Sequence, residues 1–246
     1  MAVTQSGETA DTLSALRRAK RAGARTLAVT NTLGSTVMRE ANDTVFIRAG
    51  PEISVAATKT FCSQVVTLGL ATVYTGRRRG TLSSVDARKL LSDLRGLPGA
   101  VQQVLDDEPR IRDVAEEYAD GEAFFFIGRR LGMPVALEGA LKLKEISYDH
   151  TEGFPSGELK NGPLALVTGD TPVFAVLTSG SKAAATLNNV KKVESRGAPV
   201  IGCVSGTVDA ERFVDETFSI PEFGELEPLV TNVYLQLFSY HVVDLQ

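Results

Sequence analysis

The stretch Val3-Thr4-Gln5-Ser6-Gly7 precedes a helical pattern, which is followed by Gly23-Ala24-Arg25-Thr26-Leu27. The same order returns at Leu177-Thr178-Ser179-Gly180, again before a helical pattern and then Gly197-Ala198-Pro199-Val200-Ile201. The offset is 173 residues at the Ser-Gly pair and 174 residues at the Gly-Ala pair. Because a strand, a helix and a second strand are used twice, the sequence predicts two α/β lobes, each with a parallel sheet.

The rest of the chain alternates apolar strand-like runs with helical periods, which is typical of a three-layer, flavodoxin-like α/β fold. We expect a first lobe over residues 1–80, a helical connection over 81–120 and a second lobe over 121–246. Helices are predicted at about 56–74, 134–148, 182–195 and 228–243.

Composition excludes several classes of protein. With 23% charged residues and a net charge of −4, no basic face for nucleic acid is evident, and no apolar run is long enough for a membrane helix. No leader is visible at the start, so we expect a cytoplasmic protein. Cys62 and Cys203 fit no pair motif and His150 and His241 lie far apart, so neither a disulfide nor a metal is predicted, and no cofactor is expected.

The basic segment Gly76-Arg77-Arg78-Arg79-Gly80 is interpreted as a solvated loop, with phosphate binding as the alternative. Clustered arginines on a surface are most often exposed to water, and nothing else in this segment favours a ligand.

The first Ser-Gly turn is a candidate anion site. Thr4, Gln5, Ser6 and Thr9 supply hydroxyls and an amide before a helix N-terminus, and Gly7 lets the backbone approach a ligand. The alternative is plain helix capping, with Ser6 as the N-cap. The second copy, at residues 178–181, lacks the Gln and the Glu and is a weaker candidate.

The helix predicted at 134–148 carries a candidate acid–base group. Glu138, Lys142 and Glu145 are spaced i, i+4 and i+7, so they share one face. A carboxylate kept ionised by a neighbouring ammonium can accept a proton. The alternative is an exposed ladder of ion pairs. The Gly- and Pro-rich segment at 150–163 is typical of functional loops and also of ordinary turns.

These motifs resemble the isomerase (SIS) half of the glutamine–fructose-6-phosphate aminotransferase family, the glucosamine-6-phosphate synthases. The resemblance runs nearly the whole chain and is carried by the segments at 4–12, 55–59, 138–148 and 157–166. It implies two SIS-type lobes, of which the first lacks its opening strands here. It also implies conversion of fructose 6-phosphate and ammonia from glutamine to glucosamine 6-phosphate, and a homodimer.

The resemblance also implies roles for individual residues. Glu145 would be the base that moves a proton between C1 and C2, and Lys142 would assist as a proton carrier. The sugar phosphate would be held by Thr4, Gln5, Ser6 and Thr9, and the sugar would be lined by Val55 and Ala57.

The sequence departs from the family pattern in three ways. Asn161 stands where the family has a histidine that helps to open the sugar ring, and asparagine cannot carry protons near neutral pH. The family's glutaminase domain is separate or missing, and so is the C-terminal tail with the lysine that forms a Schiff base. We therefore expect a truncated chain with little turnover by itself.

Two other functions stay open at this stage. One is a SIS module that binds a sugar phosphate without catalysis, although no DNA-binding segment accompanies it. The other is an inactive truncated product.

Overall fold

The computed structural model describes residues 1–178, 183–206 and 208–246. The chain divides into two compact units, Met1–Arg88 and Lys89–Gln246. The described strands are β1 Ala2–Val3, β2 Leu27–Thr30, β3 Asp43–Phe46, β4 Ala123–Gly128, β5 His150–Pro155, β6 Val173–Leu177, β7 Val200–Ser205 and β8 Glu216–Ile220. The described helices are α1 Ala10–Arg21, α2 Thr36–Glu40, α3 Lys59–Arg79, α4 Ser84–Asp106, α5 Glu108–Tyr118, α6 Gly132–Ser147, α7 Ala183–Glu194 and α8 Glu227–Leu245.

The first unit is built on a parallel sheet in the order β1-β2-β3. Helix α1 joins β1 to β2 and packs Leu13 and Leu16 against Ala28 of the sheet and Val37 of α2. Because the strands are parallel, the loops after β1, β2 and β3 all leave from the same edge. Any ligand-binding loops of this unit are therefore brought together there.

The second unit is built on a parallel sheet in the order β5-β4-β6-β7-β8. This is the strand order of flavodoxin-like folds, so the predicted α/β fold class is confirmed. The second Ser-Gly turn was predicted at residues 178–181, but residues 179–182 lie outside the described part of the chain.

Strand β4 explains why this sheet is covered on both faces. Phe126 stacks on Phe174 with ring centroids 4.7 Å apart, and Phe174 meets Phe238 of α8 at 4.6 Å. On the other face, Phe125 and Ile127 belong to a core that includes Val190 and Val193 of α7. A continuous apolar run with both faces buried is typical of a parallel strand between two helical layers.

The loop predicted at residues 76–80 was wrong. Helix α3 begins at Lys59 and extends through the three arginines to Arg79, where a solvated loop was expected. The helix ends at Gly80, whose backbone is left-handed with φ of 71°. Cations in the last turn and glycine after it are ordinary C-terminal signals, so Arg77–79 form a helix end.

Within the described residues, no helix is long and apolar enough to cross a membrane. The same residues contain no group of three or more His, Cys, Asp or Glu side chains that could hold a metal ion.

Candidate functional site

The Ser-Gly loop (residues 4–9) leaves β1 and is folded by its own hydroxyls. The Gly7 N–H donates to Thr4 Oγ1 at 3.2 Å, and the Glu8 N–H donates to Ser6 Oγ at 3.3 Å. The Gln5 carbonyl accepts from the Asn31 N–H at 3.1 Å, which ties the loop to the end of β2. The loop therefore has a fixed curl at the carboxyl edge of the first sheet.

Gly7 is required by two separate features of the loop. Its φ is +73°, and a Cβ placed there would lie 2.5 Å from Ser35 Oγ and 2.7 Å from Val37 Cγ1. Ser35 is 2% exposed, and its hydroxyl has no hydrogen-bond partner among the described residues. The backbone of the loop thus lies directly on α2.

Glu8 faces α2. Its Oε1 accepts from the Thr36 N–H at 2.7 Å, at the first residue of that helix. Hydrogen bonding to Thr36 holds the pKa of the Glu8 carboxyl below its ordinary value. The carboxylate thus links the loop to the first residue of α2.

The open side of the loop faces the N-terminus of α1. Helix α1 begins after Thr9, whose side chain makes no capping bond, and the first intrahelical bond runs from the Leu13 N–H to the Thr9 carbonyl. Ser6 as the N-cap was therefore the wrong alternative. An exposed hydroxyl beside the free amides of a first helical turn suits an anion such as phosphate.

Asn31 was missed by the sequence analysis and joins three strand ends. Its side chain donates to the Gly50 carbonyl at 2.7 Å and accepts from the Ala49 N–H at 3.0 Å. A cavity of about 660 Å³ lies at this edge, and its lining includes Gln5, Asn31, Arg48 and Glu52. A polar residue directly after an apolar strand was the signal that could have found it.

Val55 and Ala57 lie in the Glu52 loop, which we define as residues 51–58. The Glu52 carboxylate accepts from the Thr58 N–H at 3.0 Å, from Thr58 Oγ1 at 2.9 Å and from Thr60 Oγ1. Burial raises the pKa of Glu52, but these hydrogen bonds outweigh burial and leave it below its ordinary value. Val55 is 87% exposed.

In the second unit, the side chains of Glu138, Lys142 and Glu145 form a cluster on α6, which we call the Lys142 cluster. Lys142 Nζ lies 2.8 Å from Glu145 Oε2 and 3.5 Å from Glu138 Oε1. Lys142 is only 3% exposed, so an exposed ladder of ion pairs does not describe this face. Burial raises the pKa of the Glu138 carboxyl, and the nearby Lys142 ammonium opposes the shift.

The arrangement can move a proton. A carboxylate beside a lysine can act as a base, and the Glu138 carboxyl, whose pKa is raised by burial, can retain a proton. Glu145 is the more exposed of the two carboxylates, with 27% of its side chain accessible against 15% for Glu138. It is therefore the better placed of the two to reach a substrate.

Asn161 ends a short 3₁₀ turn, Leu159–Asn161, in the second unit. Its side-chain amide donates to Glu158 Oε2 at 2.7 Å. The following Gly162 has a φ of 138°, which a residue with a side chain rarely adopts. The predicted ligand residues thus lie in the first unit, and Lys142, Glu145 and Asn161 lie in the second.

Comparison with known proteins places the chain in a family. The SIS domain family model matches residues 1–74 and 117–243. The chain is 63% identical to a glutamine–fructose-6-phosphate aminotransferase (isomerizing) of Halobacterium salinarum over 99% of its own length, and 44% identical to that of Thermus thermophilus over 100%. It spans only 40% and 41% of the length of these relatives.

A solved structure agrees with this placement. The C-terminal domain of glucosamine-fructose-6-phosphate aminotransferase from Francisella tularensis is 37% identical, with a TM-score of 0.94. The alignment covers 99% of this chain and 70% of that one. The chain belongs to the SIS domain family and, within it, to the C-terminal domains of isomerizing glutamine–fructose-6-phosphate aminotransferases.

Proposed function

We propose that the chain performs the sugar-isomerising step of this aminotransferase, in which fructose 6-phosphate and ammonia become glucosamine 6-phosphate. The carrying observation is the 2.8 Å contact between the buried Lys142 ammonium and the Glu145 carboxylate. A carboxylate in contact with a buried lysine, and itself partly accessible, is a suitable base for a proton shift between neighbouring sugar carbons.

The proposed step balances within the sugar. Ammonia replaces the C2 oxygen of the open-chain ketose and releases water, which gives an imine at C2. Glu145 removes a proton from C1 while the imine nitrogen takes up a proton, which gives an enolamine with a C1–C2 double bond. The first proton then returns at C2 as the C1 hydroxyl gives up its proton, which leaves an amine at C2 and an aldehyde at C1. Lys142 lies beside the Glu145 carboxylate and assists as a proton carrier within the site.

The Ser-Gly loop is proposed to bind the phosphate. Thr4, Gln5, Ser6 and Thr9 provide donors beside the N-terminus of α1, where an anion is favoured by the free amides and the helix dipole. Val55 and Ala57 of the Glu52 loop line the sugar. We propose that Asn161 orients a sugar hydroxyl without transferring a proton, since an amide does not titrate near neutral pH.

The assembly is also part of the proposal. Leu137, Leu141 and Tyr148 lie at i, i+4 and i+11 on α6 and its end, and they are 41%, 42% and 89% exposed. Exposed apolar side chains aligned on one helix support a homodimer through this face. The Leu141→Glu variant is expected to sediment as a monomer, whereas the wild type is expected to sediment as a dimer. A wild-type protein that sediments as a monomer would contradict the proposed homodimer.

Ammonia would come from a glutaminase domain, and the cytoplasm is the proposed location. Burial raises the pKa of the Cys203 thiol to about 12.

The test is deuterium incorporation at C1 of fructose 6-phosphate in heavy water, together with glucosamine 6-phosphate formation from added ammonium. We expect slow exchange by the wild type, and at least about a hundredfold less by Glu145→Gln, because general-base catalysis contributes a factor of that size. Glu116→Gln makes the same change at an exposed site and should match the wild type. Deuterium exchange by Glu145→Gln at the wild-type rate would contradict the proposed role of Glu145 as the base. Binding of fructose 6-phosphate without exchange would favour a sugar-phosphate-binding module.

A further inference from the structure

The Glu52 loop cannot be held in place by core packing. It has no regular secondary structure, and Ile53 and Val55 are 96% and 87% exposed. Ala56 is its one buried apolar residue, at 4% exposure. Ordering a loop of this kind costs conformational entropy for each residue fixed, so polar contacts must hold its shape.

The end of the loop is held by Glu52. The carboxylate reaches six residues ahead to the Thr58 N–H and hydroxyl, and eight residues ahead to the hydroxyl of the fully buried Thr60. Thr58 itself makes no capping bond to α3, and the first turn of that helix has no acidic residue. Glu52 therefore supplies both the cap and the negative charge that the N-terminus of α3 favours, and in doing so it closes the loop.

The approach to the loop is held by Asn31. Its side chain bonds both Ala49 and Gly50, just before the loop, while its backbone N–H bonds the Gln5 carbonyl of the Ser-Gly loop. One residue therefore fixes the spacing between the loop that is proposed to hold the phosphate and the loop that is proposed to line the sugar. Hydrogen bonds from a side chain to two successive backbone groups leave little rotational freedom.

We propose that Asn31 and Glu52 are positioning residues that hold the Glu52 loop in register with the Ser-Gly loop, so that a bound sugar phosphate meets both loops at once. This inference rests on the proposed function for the identity of the ligand. Neither residue needs to touch the reacting carbons. Their contribution is to order the sugar-lining loop before the ligand arrives, which lowers the entropic cost of binding.

The test compares two probes, inorganic phosphate and fructose 6-phosphate, by calorimetric titration of the intact chain. Phosphate alone should contact only the Ser-Gly loop, whereas fructose 6-phosphate should contact both loops. Glu52→Gln and Asn31→Ala are each expected to weaken fructose 6-phosphate about tenfold, the scale of one lost strong hydrogen bond. Phosphate affinity should stay within about twofold.

Glu40→Gln is the matched control, because its carboxylate is also hydrogen-bonded in the first unit, to Arg17 at 2.8 Å and 2.6 Å. It should leave both affinities unchanged. A variant that merely destabilised the unit would lower the melting temperature without changing the ratio of the two affinities. An unchanged ratio in both Glu52→Gln and Asn31→Ala would overturn the inference.

A second readout needs no ligand. Amide hydrogen exchange of the free protein should accelerate at Thr58 in Glu52→Ala and at Ala49 in Asn31→Ala, because each of these variants removes the side-chain oxygen that accepts from that one amide. Unchanged protection at both amides would refute the positioning role even if a variant were too unstable for titration. If the wild type bound neither probe, the proposed function would fall, and the exchange measurement would still decide whether these residues order the loop.

Discussion

Single residues in the first unit act through the backbone that they permit or hold. Gly7 combines a left-handed φ with direct contact to α2, so its hydrogen atom cannot be replaced without moving the loop or the helix. Glu8 also links the loop to α2, because its carboxylate accepts a hydrogen bond from the first amide of that helix. The shape of the candidate anion site therefore depends on a short helix that touches no ligand.

Gly7→Ala should lower the free energy of unfolding by about 2–4 kcal/mol, because it adds overpacking to backbone strain. It should also abolish phosphate binding. Gly23→Ala is the control: its φ is +82°, and nothing lies within 4 Å of an added Cβ, so strain alone should cost about 1–2 kcal/mol. Urea denaturation and phosphate titration measure both effects, and equal losses in the two variants would contradict this account.

Glu8→Gln should make stability less dependent on pH in the acid range. A carboxyl whose folded pKa is lowered contributes stability above its unfolded pKa of about 4.3 and loses it as pH falls through the folded pKa. The wild type should therefore be more stable than the variant at pH 7, and the two should converge only once the pH has fallen below the lowered pKa of the folded state. Urea midpoints across this range give the difference; a gap that widened in acid would exclude the proposed cap.

At the scale of the secondary structure elements, α6 both carries the candidate catalytic residues and packs against α8. One face carries the Lys142 cluster, and Gly139 lies where the helix meets α8. A Cβ on Gly139 would lie 2.5 Å from Leu235 Cδ1 and 3.2 Å from the Phe126 ring, and both of these side chains are fully buried. The glycine thus lets two helices and a strand pack closely behind the candidate catalytic residues.

Substituting alanine for glycine should have opposite effects in two helices of the second unit. In α6, Gly139→Ala gains helix propensity but overpacks the core, and a net loss of about 1 kcal/mol is expected. In α4, Gly99 has nothing within 4 Å of an added Cβ, so Gly99→Ala should gain up to about 1 kcal/mol. Thermal unfolding of both variants tests the contrast, which fails if the two shifts have the same sign.

At the scale of the whole molecule, the two units differ in the cores that support them. The first relies on a small cluster formed by Leu13, Leu16, Ala28 and Val37, with partly buried Ala2 and Ala41 around it. The second has stacked phenylalanines on one face of its sheet and a large aliphatic cluster on the other. Since local stability follows the apolar area buried, the first unit should open more readily.

Native-state hydrogen exchange should therefore deuterate a peptide covering Leu27–Thr30 before one covering Val173–Leu177. Fructose 6-phosphate should slow exchange in the Ser-Gly loop, because a ligand that binds only the folded form stabilises it. Val173–Leu177 is the internal reference, since its amides should already be protected without ligand. Equal rates in the two strands would refute the difference in core strength.

The sequence by itself determined the alternation of strands and helices, the strand–turn–helix–strand repeat and the common face of Lys142 and Glu145. The alternation and the shared helix face depend on spacings of two to seven residues, which periodicity and helix geometry encode locally, and the repeat is seen by comparing two segments of the sequence directly. The end of α3 was misjudged because a run of arginines was weighed without the helix that precedes it and the glycine that follows.

Only the tertiary structure decided that Lys142 is buried and that Glu8 caps α2. It alone also showed that Asn31 and Glu52 hold the loops at the carboxyl edge of the first sheet. Asn31 contacts residues 26 positions before it and 19 after it, and such contacts exist only once strand order and register bring three loops together. Burial of Lys142 likewise depends on what packs against α6, because spacing along a helix fixes which residues share a face but not what that face meets.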